Sequence, residues 1–189
     1  MVSKYRSSIH SKRDVLPDGT EVRLVPIERT NNHPLYASKD GRVFSLHGKS
    51  YYPLRPTVTN YPCNRANGRR KQKYLKMTKT YGYILVHTAV VLAWIGDKPA
   101  VLEVIVRAKA RQEPEQASHA ECYVVDHLNG ITTDNRAENL QWVTLAENRK
   151  RAVILRVLRS IGRDPKQMSR EELLSIFNKY TFNNLKNID

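Results

Sequence analysis

The chain has 189 residues, 40% of them hydrophobic, enough to build one compact domain or two small ones around a real core, which excludes a disordered chain. Thirty-two Lys and Arg against 18 Asp and Glu leave a net charge of +14 and a pI near 9.9, an excess that favours a polyanionic partner through neutralised phosphates and released counterions. Two cysteines, Cys63 and Cys122, make neither a disulfide framework nor a four-ligand zinc site. A ribosomal or membrane-surface protein could carry the same bulk charge, so the charge names a partner class and no activity. The N-terminal "MVSKYRSSIHSKRD" lacks the apolar core of a signal peptide. The longest apolar stretch, "YILVHTAVVLAWIG", is broken by His87 and Thr88 and is too short to span a bilayer. The expectation is a reduced, cytoplasmic protein with no membrane partner.

In chain order, residues 1–20 are polar and basic and are expected to form a flexible arm. From Glu21 to about Tyr83 the pattern predicts strands and turns: "EVRLVPI", "PLYAS", a "KDG" turn and "RVFSL". No Asp or Glu lies between Asp40 and Asp97, while that interval holds ten Lys and Arg, seven of them in "RANGRRKQKYLKMTK". A long basic run without compensating acid predicts a surface that follows a nucleic-acid backbone, with Arg69, Arg70, Lys71, Lys73 and Lys76 as contacts. "LVHTAVVLAWIG" reads as a helix closing a region spanning 21–96, with His87 as a structural histidine. Residues 97–120 read as a helical connector, with Asp97 at an N-cap, Pro99 in the first turn and Pro114 beyond the end. Thr144 followed by Glu147 forms a capping-box pattern, so a helix should begin at Leu145. Its apolar positions are Leu145, Ile154, Leu155 and Leu158, with Arg149, Lys150, Arg151, Arg156 and Arg159 assigned to the opposite side. "GRDP" ends that helix, and Ser169 with Glu172 caps a last one, "REELLSIFNKY".

The segment with chemical potential is "YVVDHLNGITTDNRAENLQWVTLAENRKR". A short strand delivers Asp126 and His127, a polar loop turns the chain, "LQWV" returns as a second strand, and the capped helix follows at once. Such a hairpin leaning on a helix would bring the Asn148 amide toward Asp126. One carboxylate and one amide oxygen are hard ligands suited to Mg²⁺, which keeps several waters and accepts phosphate oxygens. His127 would stand beside that ion, and an ordinary imidazole takes a proton from water near neutral pH. Base plus metal is what phosphodiester hydrolysis requires.

These residues resemble the HNH nuclease motif, the ββα-metal fold, in its His-Asn-Asn form. His127, Asn139 and Asn148 stand twelve and nine residues apart in the frame "DH…N…DNR…NL.WVT…N". The frame is similar to that of phage and intron-encoded HNH homing endonucleases, and "PLYASKDGRVFSL" and "YGYILVHTAVVLAWIG" resemble the modules that precede it there. The expected fold is α+β: an N-terminal antiparallel β-rich DNA-binding region, the central ββα-metal motif over 121–155 that the resemblance implies, and C-terminal helices over 156–189, which do not match the helix-turn-helix that often ends such enzymes. It implies Asp126 and Asn148 as ligands of one divalent ion, Mg²⁺ or Mn²⁺, with no zinc. His127 would be the general base, and Asn139 would brace the loop and orient His127 or the scissile phosphate. Arg136, Arg149 and Arg151 would lie near the metal and touch flanking phosphates. The connector at 97–120 and the stretch "TVTNYPCNRANGRRKQ" are longer than the resemblance leads one to expect.

The expected function is metal-dependent hydrolysis of double-stranded DNA by a monomer or weak dimer, with no small-molecule substrate. One site per chain leaves nicking and double-strand cutting both open. The competing expectation is a non-catalytic regulator or packaging accessory that binds DNA on the same scaffold. An RNA-binding protein would account for the charge and tyrosines but not for the Asp-His…Asn…Asn spacing.

Overall fold

The computed structural model describes residues 13–27, 33–62, 71–77, 84–96 and 123–180. The expected helix over 97–120, the first twelve residues of the arm, and Arg69 and Arg70 lie outside the described residues. The chain divides into two compact units, residues 1–96 with 132–138 and residues 97–131 with 139–189. The architecture is mixed α/β, with an antiparallel sheet in the N-terminal region and helices toward the C-terminus. Among the described residues no helix is long and apolar enough to cross a membrane.

The first unit is built on a five-stranded antiparallel sheet in simple sequence order: β1 (Arg13–Val15), β2 (Glu21–Leu24), β3 (Leu35–Ser38), β4 (Val43–His47) and β5 (Ser50–Pro53). Strand alternation sends Val22, Tyr36 and Phe44 to one face, where they form a buried cluster with Leu16. β1 corrects the expectation of a flexible arm up to residue 20. Three exposed residues carry no alternation signal, and their place comes from pairing with β2, Arg13 opposite Arg23 and Val15 opposite Glu21. The "KDG" turn forms as expected: Ser38 bonds Asp40, and Gly41 takes φ +93°, a conformation other residues rarely adopt. A separate hairpin pairs β6 (Thr57–Pro62) with β7 (Lys71–Lys76), and α1 (Val86–Trp94) follows it. The Trp94 indole N–H donates to the Ala37 carbonyl at 2.9 Å, and Arg23 lies 4.0 Å above the Trp94 ring. His87 is buried, its ring edge-on to Tyr74 at 5.3 Å.

Residues 132–138 are stitched to the same unit. The Ala137 amide donates to the Lys39 carbonyl at 2.8 Å, and the Thr132 hydroxyl donates to the Lys73 carbonyl.

The second unit contains the hairpin of β8 (Tyr123–His127) and β9 (Leu140–Thr144), followed directly by α2 (Leu145–Ser160) and then α3 (Arg170–Lys179). Both helix starts follow their caps. The Thr144 hydroxyl accepts from the Glu147 amide at 3.1 Å, and Ser169 and Glu172 form a reciprocal capping box. Ile154, Leu155 and Leu158 meet Leu173, Phe177 and Tyr180 in one buried cluster, which also takes in Leu128, the residue after β8. Leu128 therefore pins the end of the hairpin strand to the helical core.

The basic side expected of α2 loses Arg151, which is buried. Position 151 stands three, four and seven residues before Ile154, Leu155 and Leu158, the spacing of one helical face, so the helix carries it inward. Leu145, expected on the apolar side, is at the exposed start of the helix.

Candidate active site at the hairpin turn

β8 ends on Asp126 and His127, each only 5% exposed. Adjacent strand residues project to opposite faces, so the two neighbours meet different surroundings. Asp126 pairs across the ladder with Gln141, whose amide donates to Asp126 Oδ2 at 3.2 Å. Arg151 Nη1 donates to the same oxygen at 3.1 Å. Burial drives the Asp126 carboxyl above the ordinary range. The Arg151 charge and hydrogen bond oppose that, and the Glu147 charge adds to it.

His127 closes the ladder opposite Leu140, and its carbonyl accepts from the Gly130 amide at 2.7 Å in the turn that follows. That turn is fixed by a pair of amides. Asn139 Oδ1 accepts from the Asn129 backbone N–H at 3.0 Å, and Asn139 Nδ2 donates to Asn129 Oδ1 at 3.1 Å. Asn129 Oδ1 also accepts from the Ile131 amide at 2.9 Å, and the Asn139 carbonyl accepts from the Leu128 amide at 2.9 Å. Arg159 reaches from α2 to the Asn129 carbonyl at 3.1 Å. Both asparagines are buried, so the hydrogen bonds between them replace those lost to water. Asn139 thus braces the turn that begins at His127.

Asn148 is half-buried in the first turn of α2, three residues before Arg151 and so on a neighbouring row of the helix. A carboxylate from β8 and an amide from α2 are an oxygen donor set of the type a hard, water-retaining divalent ion accepts. Among the described residues, the side chains of Gln141 and Arg151 both donate to Oδ2 of Asp126. Among the described residues, no group of three or more His, Cys, Asp or Glu side chains is placed to hold a metal ion. An ion held by Asp126 and Asn148 would take most of its ligands from water and substrate.

The basic candidates differ from one another. Lys73 is exposed and Lys76 half-buried on β7, and Lys71 lies on the same strand with its side chain outside the described residues. Arg149 is exposed on α2. Arg136 is exposed but forked on Asp134, with bonds of 2.9 Å to each carboxylate oxygen, and it bonds Glu138 at 2.8 Å. Arg151 is enclosed beside Asp126. Sequence reasoning did not single out Asn129, Gln141, Glu147, Arg159 or Phe177 for the site. The signal for Glu147 with Arg151 was their i,i+4 spacing, and for Arg151 its place on the apolar stripe.

Residues 113–150 match the family model described as HNH endonuclease. This segment is similar to HNH endonucleases. A relative named as an uncharacterized HNH endonuclease, L247 of Acanthamoeba polyphaga mimivirus, is 63% identical to the chain over 30 residues. That alignment covers 16% of this chain and 8% of the relative. No solved structure matches. The HNH segment contains β8, the braced turn, β9 and the first six residues of α2, and with them Asp126, His127, Asn139 and Asn148.

Proposed function

We propose that the chain is a metal-dependent endonuclease that hydrolyses phosphodiester bonds of double-stranded DNA in the manner of homing endonucleases. The observation that carries this reading is the coincidence of the HNH segment with a hairpin whose first strand ends on Asp126 and His127, both buried. The hairpin and α2 together would be the ββα-metal motif of that family.

In this reading an imidazole nitrogen of His127 takes the proton from the attacking water. Asn139 keeps the turn after His127 in one conformation, so the base needs no rearrangement before reaction. Asp126 and Asn148 would hold the divalent ion, Mg²⁺ or Mn²⁺. Bound there, it would supply positive charge for the phosphoryl and departing oxygens. Lys73, Lys76 and Arg149, with the basic residues of "GRRKQK", would neutralise backbone phosphates. The protein would act in the cytoplasm as a monomer or weak dimer, with DNA as its partner.

Supercoiled plasmid incubated with the protein and Mg²⁺, with a chelated control, tests the activity, and nicked against linear product distinguishes one-strand from two-strand cutting. His127→Ala is expected to lose cleavage by about 10²–10⁴-fold while DNA affinity by mobility shift stays near wild type. Cleavage by His127→Ala at the wild-type rate would sink the mechanism.

One observation favours a second reading, a DNA-binding protein that does not cut: Asp126 already has a cation, Arg151, at 3.1 Å. Plasmid that is bound but left intact in both Mg²⁺ and Mn²⁺ would decide for it.

A further inference from the structure

Arg151 lies one residue beyond the HNH segment, and its surroundings are unlike those of the other basic residues of α2. Nη1 donates to Asp126 Oδ2 at 3.1 Å and Nε donates to Glu147 Oε1 at 3.1 Å. The guanidinium carbon lies 4.9 Å from the centre of the Phe177 ring on α3. Taking a guanidinium out of water is costly, and an apolar side chain of similar volume on the same helical stripe would fill the space at less cost. An apolar side chain could not orient a carboxylate. Nor could lysine hold two carboxylates and a ring face at once, because an ammonium lacks the planar fork.

We propose that Arg151 is a positioning residue of the nuclease site. Held by Glu147 on its own helix and by the Phe177 ring on α3, it fixes the direction of the Asp126 carboxylate toward a divalent cation. With Gln141 it engages Oδ2, so the carboxylate cannot turn freely about its last bond. Through Phe177, α3 becomes part of the apparatus that presents Asp126, although it lies outside the family match. The inference rests on the endonuclease reading and assigns Arg151 a role other than contact with DNA phosphates.

The test compares full-length wild type with Arg151→Gln, Arg151→Lys and Phe177→Leu. Fold is followed by circular dichroism, Mn²⁺ binding by electron paramagnetic resonance without DNA, and cleavage as kcat and KM. Arg151→Gln is expected to keep its fold and DNA affinity, to bind Mn²⁺ about 10–100-fold more weakly, and to lose kcat in similar measure with little change in KM. Arg151→Lys should recover part of the loss, and Phe177→Leu should weaken Mn²⁺ binding by a smaller factor. Unchanged or tighter Mn²⁺ binding by folded Arg151→Gln would overturn the proposal. So would a fall in DNA affinity with Mn²⁺ binding intact, which would return Arg151 to phosphate contact. Should Arg151→Gln fail to fold, Phe177→Leu decides, and wild-type Mn²⁺ affinity in that variant rejects the proposal. A wild-type protein that neither binds Mn²⁺ nor cuts would remove the endonuclease reading and this inference with it. A wild type that cuts no better than folded Arg151→Gln removes the inference alone.

Discussion

In the five-stranded sheet Arg42 meets Asp40 at 2.8 Å with 47% and 51% of the two side chains exposed, whereas in the hairpin–helix unit Arg151 meets Asp126 at 3.1 Å with 9% and 6% exposed. The bond lengths are similar and the physics is not. Water screens the first pair, and such pairs contribute about 0–1 kcal/mol. The second pair stands where an unmatched charge would cost several kcal/mol, so each partner obliges the other to remain. The sheet draws its cohesion from Val22, Tyr36, Phe44 and Leu16 and leaves the Arg42 ion pairs in solvent. The hairpin–helix unit has an apolar cluster of its own around Ile154, Leu158 and Phe177, yet also encloses Asp126, His127, Asn129, Asn139 and Arg151. Enclosed polarity of that density costs stability, and all of it but Arg151 lies within the segment that matches a nuclease family.

Breaking the enclosed network should therefore cost more than breaking anything polar in the sheet. Asn139→Ala removes both of its side-chain hydrogen bonds with Asn129 in a buried place. The expected loss is about 2–3 kcal/mol, read as a lower urea midpoint at unchanged slope. A loss under about 0.5 kcal/mol would mean that water satisfies the turn equally well. In the turn between β3 and β4 the constraint on Gly41 is a matter of shape. A Cβ at Gly41 would stand 2.9 Å from the backbone carbonyl carbon and oxygen of Asn135, at φ +93°. Gly41→Ala is expected to cost about 1–2 kcal/mol from the left-handed conformation alone, with the crowding adding to it. Thermal unfolding that leaves this variant within a degree of wild type would show that residues 132–138 yield easily.

How far these features could be read in advance follows the range of the interactions. The caps at Thr144 and Ser169 and the "KDG" turn involve residues two to four apart, and the sequence pattern located all of them. β1 was hidden because Arg13–Val15 owes its conformation to β2 rather than to its own residues. Asp126 and His127 were legible through motif spacing, but their neighbours were not. Arg151 is 25 residues from Asp126, and a charged side chain on α2 reads as solvated until the phase of Ile154, Leu155 and Leu158 is applied to it. Asn139 was expected to brace the loop, but its partner Asn129 read only as half of an Asn-Gly turn.

The smallest effect expected is also the one that most directly separates screened from enclosed charge. Burial pushes the Asp40 carboxyl upward, but hydrogen bonds from the Ser38 hydroxyl and from the Arg42 backbone and side chain outweigh it, and the pKa falls below the ordinary carboxylate value. A carboxylate with a depressed folded-state pKa contributes stability that is fully present above its unfolded value, about 3.9, and lost as pH falls through the folded one. Asp40→Asn should therefore lower the thermal midpoint slightly at pH 7, by an amount worth no more than about 1 kcal/mol. The gap between variant and wild type should close as the pH drops below about 4, and narrow at pH 7 when salt is raised to about 1 M, where screening acts within a few ångströms. A gap that persists unchanged into acid would mean that the Asp40 side chain holds the turn by shape and not by charge. The sheet would then resemble the hairpin–helix unit more closely than its solvent exposure implies.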